Sequence, residues 1–284
     1  MTRTIALLGH PVAHSISPRF QQAALDALGI EARYEAWDTA PADLRGAVER
    51  LRSGDLLGAN VTVPHKVAAM QLVDRPDALA ERVGALNTIV RRDGLLHATN
   101  TDVAGVLRAL LDAGVEVPGA NVVLLGAGGA ARAVVVAMRE AGARRVTVVN
   151  RTPANAHALS ELGGDALDMR FAPLDLADGS YRRSLREAQI IVQSTSVGMR
   201  HGPAEAETPV PVEHFVPGQV AFDLVYVPEE TPFLRAAAEA GAQLVGGLQM
   251  LIHQGAEAFR LWTGQEPPIE VMARAARAAL ASRA

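Results

Sequence analysis

The chain of 284 residues has no cysteine, a single lysine (Lys66) and few aromatics: two tryptophans, three tyrosines and six phenylalanines. The missing cysteine excludes disulfides, thiolate catalysis and cysteine-held metals, and it fits a reducing compartment. So few aromatic rings argue against a base-stacking platform for nucleic acid. Basic charge is also short: 27 basic against 31 acidic side chains give a net charge of −4, and the pI is near 6.1. That leaves no electrostatic footprint for a nucleic-acid partner. No apolar run reaches the roughly 18 residues that a membrane crossing requires. The opening stretch breaks at Gly9 and Pro11, too early for a signal peptide, so a cytoplasmic setting is expected. With 49% apolar and 20% charged residues the composition is globular, and the length suits one or two domains.

The pattern alternates short apolar runs with helical spacing. Strands are expected at Thr4–Leu8, Arg33–Trp37 and Ala59–Val63, with helices at Arg19–Leu28 and Ala42–Leu51 between them. Ala85–Val90 and Leu95–Ala98 predict a hairpin across Arg92-Asp93-Gly94, followed by a helix over Thr101–Ala113. A second unit begins near Asn121. Further strands are expected at Val122–Leu125, Arg145–Val149, Ile190–Gln193, Val220–Leu224 and Gln243–Val245, and a helix at Pro232–Ala240. From Gly247 the pattern is helical to the end, broken at Pro267-Pro268. This rhythm predicts an α/β fold with mostly parallel sheets covered by helices.

Gly126, Gly128 and Ala131 match G-x-G-x-x-A between an expected strand and an expected helix. In that context Gly126, Ala127, Gly128, Gly129 and Ala130 form a candidate dinucleotide loop, where backbone N–H groups and a helix N-terminus meet a pyrophosphate. A tight strand-to-helix turn without a ligand is the plainer reading. An NAD site usually ends its second strand in a carboxylate; here that strand ends Asn150-Arg151-Thr152. A guanidinium and a hydroxyl suit a 2′-phosphate, so NADP is favoured, although Arg151 also reads as an ordinary exposed cation.

The remaining polar groups follow strands of the N-terminal half. Ser15 and Ser17 precede the first helix and suit either a substrate carboxylate or a cap. Asn60, Thr62 and Lys66 lie in Asn60-Val61-Thr62-Val63-Pro64-His65-Lys66. A chain so biased to arginine that keeps one lysine points to a task arginine cannot perform, since an amine can trade a proton and a guanidinium stays charged. Asn87-Thr88 and Asn100-Thr101-Asp102 add amides and one carboxylate; Asp102 reads equally well as the cap of the following helix.

Taken in order, these segments resemble the shikimate dehydrogenases: Gly9-His10-Pro11 with His14-Ser15-Ile16-Ser17-Pro18, the Asn60–Lys66 and Gly84–Thr88 segments, Asn100-Thr101-Asp102, Gly126–Ala130, Asn150-Arg151-Thr152 and Gly247 through Gln254. The resemblance runs from residue 5 to about residue 262. It implies NADP-linked, reversible reduction of 3-dehydroshikimate to shikimate, with Lys66 and Asp102 as the acid–base pair. It further implies that Ser15 and Ser17 hold the substrate carboxylate, and that Asn60, Thr62, Asn87 and Gln254 bind the ring. Tyr226 would lie near substrate and nicotinamide, while Thr195, Leu224 and Gly247 line the cofactor. The implied architecture is a substrate domain of residues 1–101 plus 248–284 and a Rossmann NADP domain of residues 102–247, with the site in a cleft between them. A small-molecule substrate is expected, no metal, no nucleic acid and no membrane, with a homodimer as a compatible assembly.

Three positions depart from the family pattern. Gln21 stands where a histidine is frequent, Gln193 lengthens an asparagine near the nicotinamide, and Pro153-Ala154-Asn155 lacks the second arginine that often follows Asn-Arg-Thr. The last leaves open a quinate/shikimate dehydrogenase that accepts NAD. A catalytically silent cofactor-binding regulator would require the lysine–aspartate pair to be incidental, and a structural or partner-binding role is neither required nor excluded.

Overall fold

The computed structural model describes residues 3–282. Its first elements are β1 (Arg3–Gly9), α1 (Ser17–Ala27), β2 (Ala32–Asp38), α2 (Leu44–Arg50), β3 (Leu56–Val61), β4 (Arg75–Pro76), α3 (Ala78–Val83), β5 (Thr88–Arg92), β6 (Leu95–Thr99) and α4 (Asp102–Asp112). There follow β7 (Asn121–Leu125), α5 (Gly129–Glu140), β8 (Arg145–Asn150), α6 (Pro153–His157), β9 (Asp168–Pro173), α7 (Gly179–Glu187) and β10 (Ile190–Gln193). The chain continues with β11 (Val220–Asp223), α8 (Pro232–Glu239), β12 (Gln243–Val245), α9 (Gly247–Thr263) and α10 (Ile269–Ala281). Two compact units result, Met1–Gly105 with Ile252–Ala284, and Val106–Leu251. The divisions fall inside α4 and α9, about four residues beyond the expected 101/102 and 247/248 boundaries. The first turn of α4 falls in the first unit, where Asp102 is bonded to Lys66 and Asn87.

The first unit is built on a six-stranded sheet in the order β2-β1-β3-β5-β6-β4. Ile5 to Leu8 are all buried, as an apolar run flanked by parallel neighbours must be. β5 runs antiparallel to both β3 and β6, so this sheet is mixed. The expected hairpin pairs Arg92 with Leu95 across Asp93 (φ 52°) and Gly94 (φ 79°). Two left-handed residues make the two-residue turn that matches strand twist. The strand starts at Thr88 rather than Ala85, which leaves Asn87 just ahead of it. Leu8, Val61, Leu86, Ile89 and Leu96 form the core, where truncating a leucine or isoleucine to alanine costs about 2–5 kcal/mol.

The second unit has the fully parallel order β12-β11-β10-β7-β8-β9, the Rossmann arrangement. β7 is buried along its whole length, and α5 covers the sheet with an unbroken buried run from Ala133 to Met138. From β7 the chain passes to β8 on one side, while β10 lies on the other, so the loop after β7 sits at the topological switch point where such sheets bind ligands. Several elements escaped the sequence reading. β9 is an edge strand with only Ala172 buried, so it has no apolar run. α7 is rich in arginine; it buries Tyr181 and Leu185 and is capped by Asp178. α3, α6 and the two-residue β4 are too short for helical or strand periodicity to register.

Candidate active site

In the first unit, the ends of β3 and β6 and the start of α4 bring together the polar groups that the sequence singled out. Lys66 Nζ donates to Asp102 Oδ2 in an ion pair whose side chains are 14% and 5% exposed. Asn87 Nδ2 donates to Asp102 Oδ1 at 2.8 Å, so both carboxylate oxygens of Asp102 are engaged. Asp102 is therefore not spending its oxygens on the helix. The entrance to α4 is held instead by Asn100, whose Oδ1 accepts the Asp102 N–H at 3.0 Å and whose Nδ2 donates to Ala85 O at 2.9 Å.

Asn87 is the hub. Its Oδ1 accepts from Thr101 N at 2.7 Å and Thr88 Oγ1 at 3.0 Å, and its Nδ2 reaches Thr101 Oγ1 at 3.0 Å and Gln254 Oε1 at 3.3 Å. Gln254, on α9, thus joins residues 167 positions earlier in the chain. Asn60 donates to Asn87 O at 3.0 Å and Thr88 Oγ1 at 3.2 Å, while its Oδ1 accepts from Tyr34 Oη at 2.7 Å. Both amide hydrogens of Asn60 are committed to protein, leaving a lone pair on Oδ1 as its remaining group for a ligand. A buried polar network of this size persists because its members satisfy one another; any unpaired member would carry a full desolvation cost.

Thr62 is half-buried beyond the end of β3, and its backbone N–H donates to Leu8 O at 2.8 Å. His65, the neighbouring candidate for proton transfer, is buried with Nε2 2.7 Å from Thr39 O. A carbonyl only accepts, so that nitrogen carries the proton and is committed to structure. Ser17 is buried and Ser15 half-buried at the start of α1. The N-cap position is Ile16 and no side chain caps the helix; Ser15 Oγ accepts the Ser17 N–H at 3.2 Å instead.

In the second unit, Gly126 follows β7 with φ 103°, a conformation that favours glycine. Its N–H donates to Val149 O at 2.8 Å, and a Cβ there would come within 2.8 Å of Ser194 Oγ and 3.0 Å of Thr195 Cγ2. Ala127 lies between it and Gly128, which is the N-cap of α5, so Gly129 and Ala130 present the helix N-terminus. β8 ends at Asn150, whose Nδ2 donates to Thr152 O at 2.9 Å; Arg151 and Thr152 are exposed beyond it. The glycine turn and helix N-terminus suit the pyrophosphate of either dinucleotide, and the cation in place of an acid after β8 fits NADP better than NAD. Leu224 and Tyr226 are half-buried after β11, and Gly247 begins α9. No group of three or more histidine, aspartate or glutamate side chains that could hold a metal occurs among the described residues. No described helix is long and apolar enough to cross a membrane.

Comparison with known proteins bears on this geometry. Residues 7–89 match the profile of the shikimate dehydrogenase substrate binding domain, residues 110–200 that of shikimate/quinate 5-dehydrogenase, and residues 247–277 that of the shikimate 5′-dehydrogenase C-terminal domain. A shikimate dehydrogenase (NADP(+)) of Moorella thermoacetica is 46% identical over 282 residues, spanning 98% of this chain and 94% of that protein. The chain belongs to the shikimate dehydrogenase family. The crystal structure of shikimate 5-dehydrogenase from Thermus thermophilus, in complex with NADP(H) and shikimate, is 45% identical with a TM-score of 0.86, covering 98% of this chain and 100% of that one. Quinate dehydrogenase from Corynebacterium glutamicum, in complex with NAD, is 29% identical with a TM-score of 0.86, covering 96% and 98%.

Against the family pattern, the structure accounts for two of the three departures. Gln193 is fully buried, and its Oε1 accepts from Thr195 N at 3.0 Å and Thr195 Oγ1 at 2.9 Å. Its Nε2 donates to Val197 O at 3.0 Å, so the added methylene lets the amide close the 194–197 turn from within. Gln21 is buried on α1 one turn after Ser17 and donates to Gly255 O at 2.9 Å, tying α1 to α9 beside Gln254. Sequence reasoning passed over Tyr34, which donates to Asn60, and Asp223, a buried acid at the end of β11. Tyr34 carries no local signal, being a strand residue that reaches Asn60 only in the fold. Asp223 had one: an acid closing the apolar run Val220-Ala221-Phe222.

Proposed function

We propose that this chain catalyses the NADP-dependent, reversible reduction of 3-dehydroshikimate to shikimate, with Lys66 and Asp102 as its acid–base pair. The observation that carries the assignment of roles is the chain's only lysine ion-paired to a buried aspartate whose other oxygen is held by Asn87. NADP, when bound, accepts or returns the hydride. As shikimate is oxidised, the reacting hydroxyl must shed its proton, and the Lys66–Asp102 pair receives it; in reduction the same pair returns it to the carbonyl oxygen. The ammonium form of Lys66 also steadies developing negative charge on that oxygen. Asn87 fixes the carboxylate so that the pair needs little reorganisation during the step.

Ser15 and Ser17 hold the substrate carboxylate at the start of α1, and Asn60, Thr62, Asn87 and Gln254 orient the ring hydroxyls. Backbone groups of Gly126, Ala127, Gly128, Gly129 and Ala130 hold the pyrophosphate, and Asn150, Arg151 and Thr152 hold the adenosine 2′-phosphate. Thr195, Leu224 and Gly247 line the nicotinamide, with Tyr226 between it and the substrate. The first unit is accordingly the substrate domain and the second the NADP domain. A second reading, quinate oxidation with NAD, draws on Pro153-Ala154-Asn155, which lacks the second arginine that often follows Asn-Arg-Thr. Spectrophotometric rates for shikimate and quinate, each with NADP and NAD, decide between them. The assignment predicts the highest kcat/KM for shikimate with NADP, and a maximum for quinate with NAD overturns it. We also infer a cytoplasmic location and a homodimer, to be tested by cell fractionation and light scattering.

A further inference from the structure

β11 ends in a carboxylate that the proposed chemistry does not use. Asp223 is fully buried. Its Oδ1 accepts the Val225 N–H at 2.9 Å and its Oδ2 accepts the Thr231 hydroxyl at 2.6 Å. Thr231 Oγ1 in turn accepts the Leu234 N–H at 3.1 Å, capping α8. One carboxylate thus ties both ends of the segment from Leu224 to Thr231, the segment that carries Tyr226.

Gly247 packs against the same segment. A Cβ at that position would lie 2.6 Å from Leu224 O, 2.7 Å from Leu224 C and 2.8 Å from Val225 O. Those are backbone atoms, and they cannot swing aside as a long side chain would. The first residue of α9 and the Leu224–Val225 carbonyls are therefore placed together, and Asp223 fixes the carbonyl side of the contact. Among the described residues, the hydrogen-bond partners of Asp223 are a backbone N–H and a hydroxyl, not a cation. Burial pushes its carboxyl up to about 7, only partly countered by the bonds from Thr231 and Val225. An acid in so unfavourable a setting costs folding energy that an amide or apolar residue would not, and such costs concentrate at functional sites.

We propose that Asp223 is a positioning residue for the nicotinamide half of the cofactor, acting through the Leu224–Tyr226 turn and its contact with Gly247. This rests on the reading of Leu224, Tyr226 and Gly247 as the nicotinamide side of the site. The test measures, on the full chain, dissociation constants for NADP and for 2′,5′-ADP, which has the adenosine and 2′-phosphate but no nicotinamide. Asp223→Ala is expected to weaken NADP about tenfold and lower kcat about as much, while 2′,5′-ADP binding stays within about twofold. Asp223→Asn keeps an acceptor for Val225 and an N–H for Thr231 Oγ1, so it should recover most of both losses. Thr231→Val removes one arm and should fall between them; these two variants carry the test if the alanine protein does not fold. Equal weakening of NADP and 2′,5′-ADP, or no weakening of either, overturns the inference. An unmodified chain that fails to bind NADP overturns the functional reading, and the inference with it.

Discussion

The two units hold their candidate groups in opposite ways. In the first, Asn60, Asn87, Thr101 and Asp102 are buried and bonded to one another, and Lys66 joins them through its ion pair. In the second, the glycine run offers backbone alone, and Arg151 and Thr152 stand exposed at the end of β8. Side chains removed from water must find partners within the protein, so the first arrangement is preorganised and each member supports the others. Backbone N–H groups and a surface cation need no such support. Substitutions in the first unit should therefore disturb chemistry and folding together, and those at the rim of the second should change affinity alone. Asp223 and Gln193 are exceptions, buried polar side chains bonded within the second unit.

The largest effect is expected at Lys66. Lys66→Met should lower kcat by about 10²–10⁴-fold, the usual contribution of a general acid–base group, while NADP still binds normally. It also leaves Asp102 buried with Asn87 but without its cation, so the melting temperature should fall. Asp102→Asn should cost no more in kcat, and the double variant should be clearly less than additive. A Lys66→Met protein that keeps most of its kcat defeats the mechanism and turns suspicion to His65, despite that ring's bond to Thr39 O.

Next comes a pH effect confined to the second unit. The Asp223 carboxyl, near 3.8 in an unfolded chain, is pushed up to about 7 by burial. The folded state thus binds this proton more tightly than the unfolded state. Its contribution to stability is complete below about pH 4 and is lost as pH rises towards and through 7. A shift of about three pH units corresponds to about 4 kcal/mol at most. Urea unfolding at about pH 5 and about pH 8, on either side of the folded-state value, should show a smaller pH difference for Asp223→Asn than for the unmodified chain. Identical pH dependences would mean that Asp223 ionises without penalty.

A smaller effect is expected at the start of α1. Replacing both Ser15 and Ser17 by alanine should raise the KM for shikimate, at a cost of about 3 kcal/mol for two hydrogen bonds to a charged group. The NADP dissociation constant should not move. A lower melting temperature with unchanged KM would make them structural residues, for which Ser15 Oγ already accepts the first-turn N–H of Ser17.

Much of this contrast is legible in the sequence, because β7 and β10 are mostly apolar runs, β8 is broken only by Thr147 between Val146 and Val149, and the polar motifs follow directly after strands. The lone lysine is legible by composition. What stayed hidden depends on contacts far apart in the chain. The choice between cap and site for Asp102 turns on where its oxygens point, and only the fold shows Asn87 and Lys66 there. Tyr34 meets Asn60 across 26 positions, and Gln254 meets Asn87 across 167. β9 and α7 were missed because one is an exposed edge and the other a largely charged helix with two buried side chains.

The smallest predicted effect is the most selective, and it bears on the exposed rim. Arg151 lies beyond β8 with its side chain in solvent, so Arg151→Ala removes little packing. Its melting temperature should match that of the unmodified chain. If the guanidinium meets the 2′-phosphate, NADP should weaken by about 1.5–3 kcal/mol, roughly ten- to a hundredfold, as for a hydrogen bond to a charged group. NAD, which has no 2′-phosphate, should bind as before, and added salt should erode the difference because the pair is solvent-exposed. Asn155→Arg, which supplies a second cation shortly after Arg151, should act in the opposite direction and strengthen NADP selectively. Equal loss of NADP and NAD in Arg151→Ala would mean that the substitution disturbs the end of β8 as a whole, and the difference between the two units would then be one of degree rather than of kind.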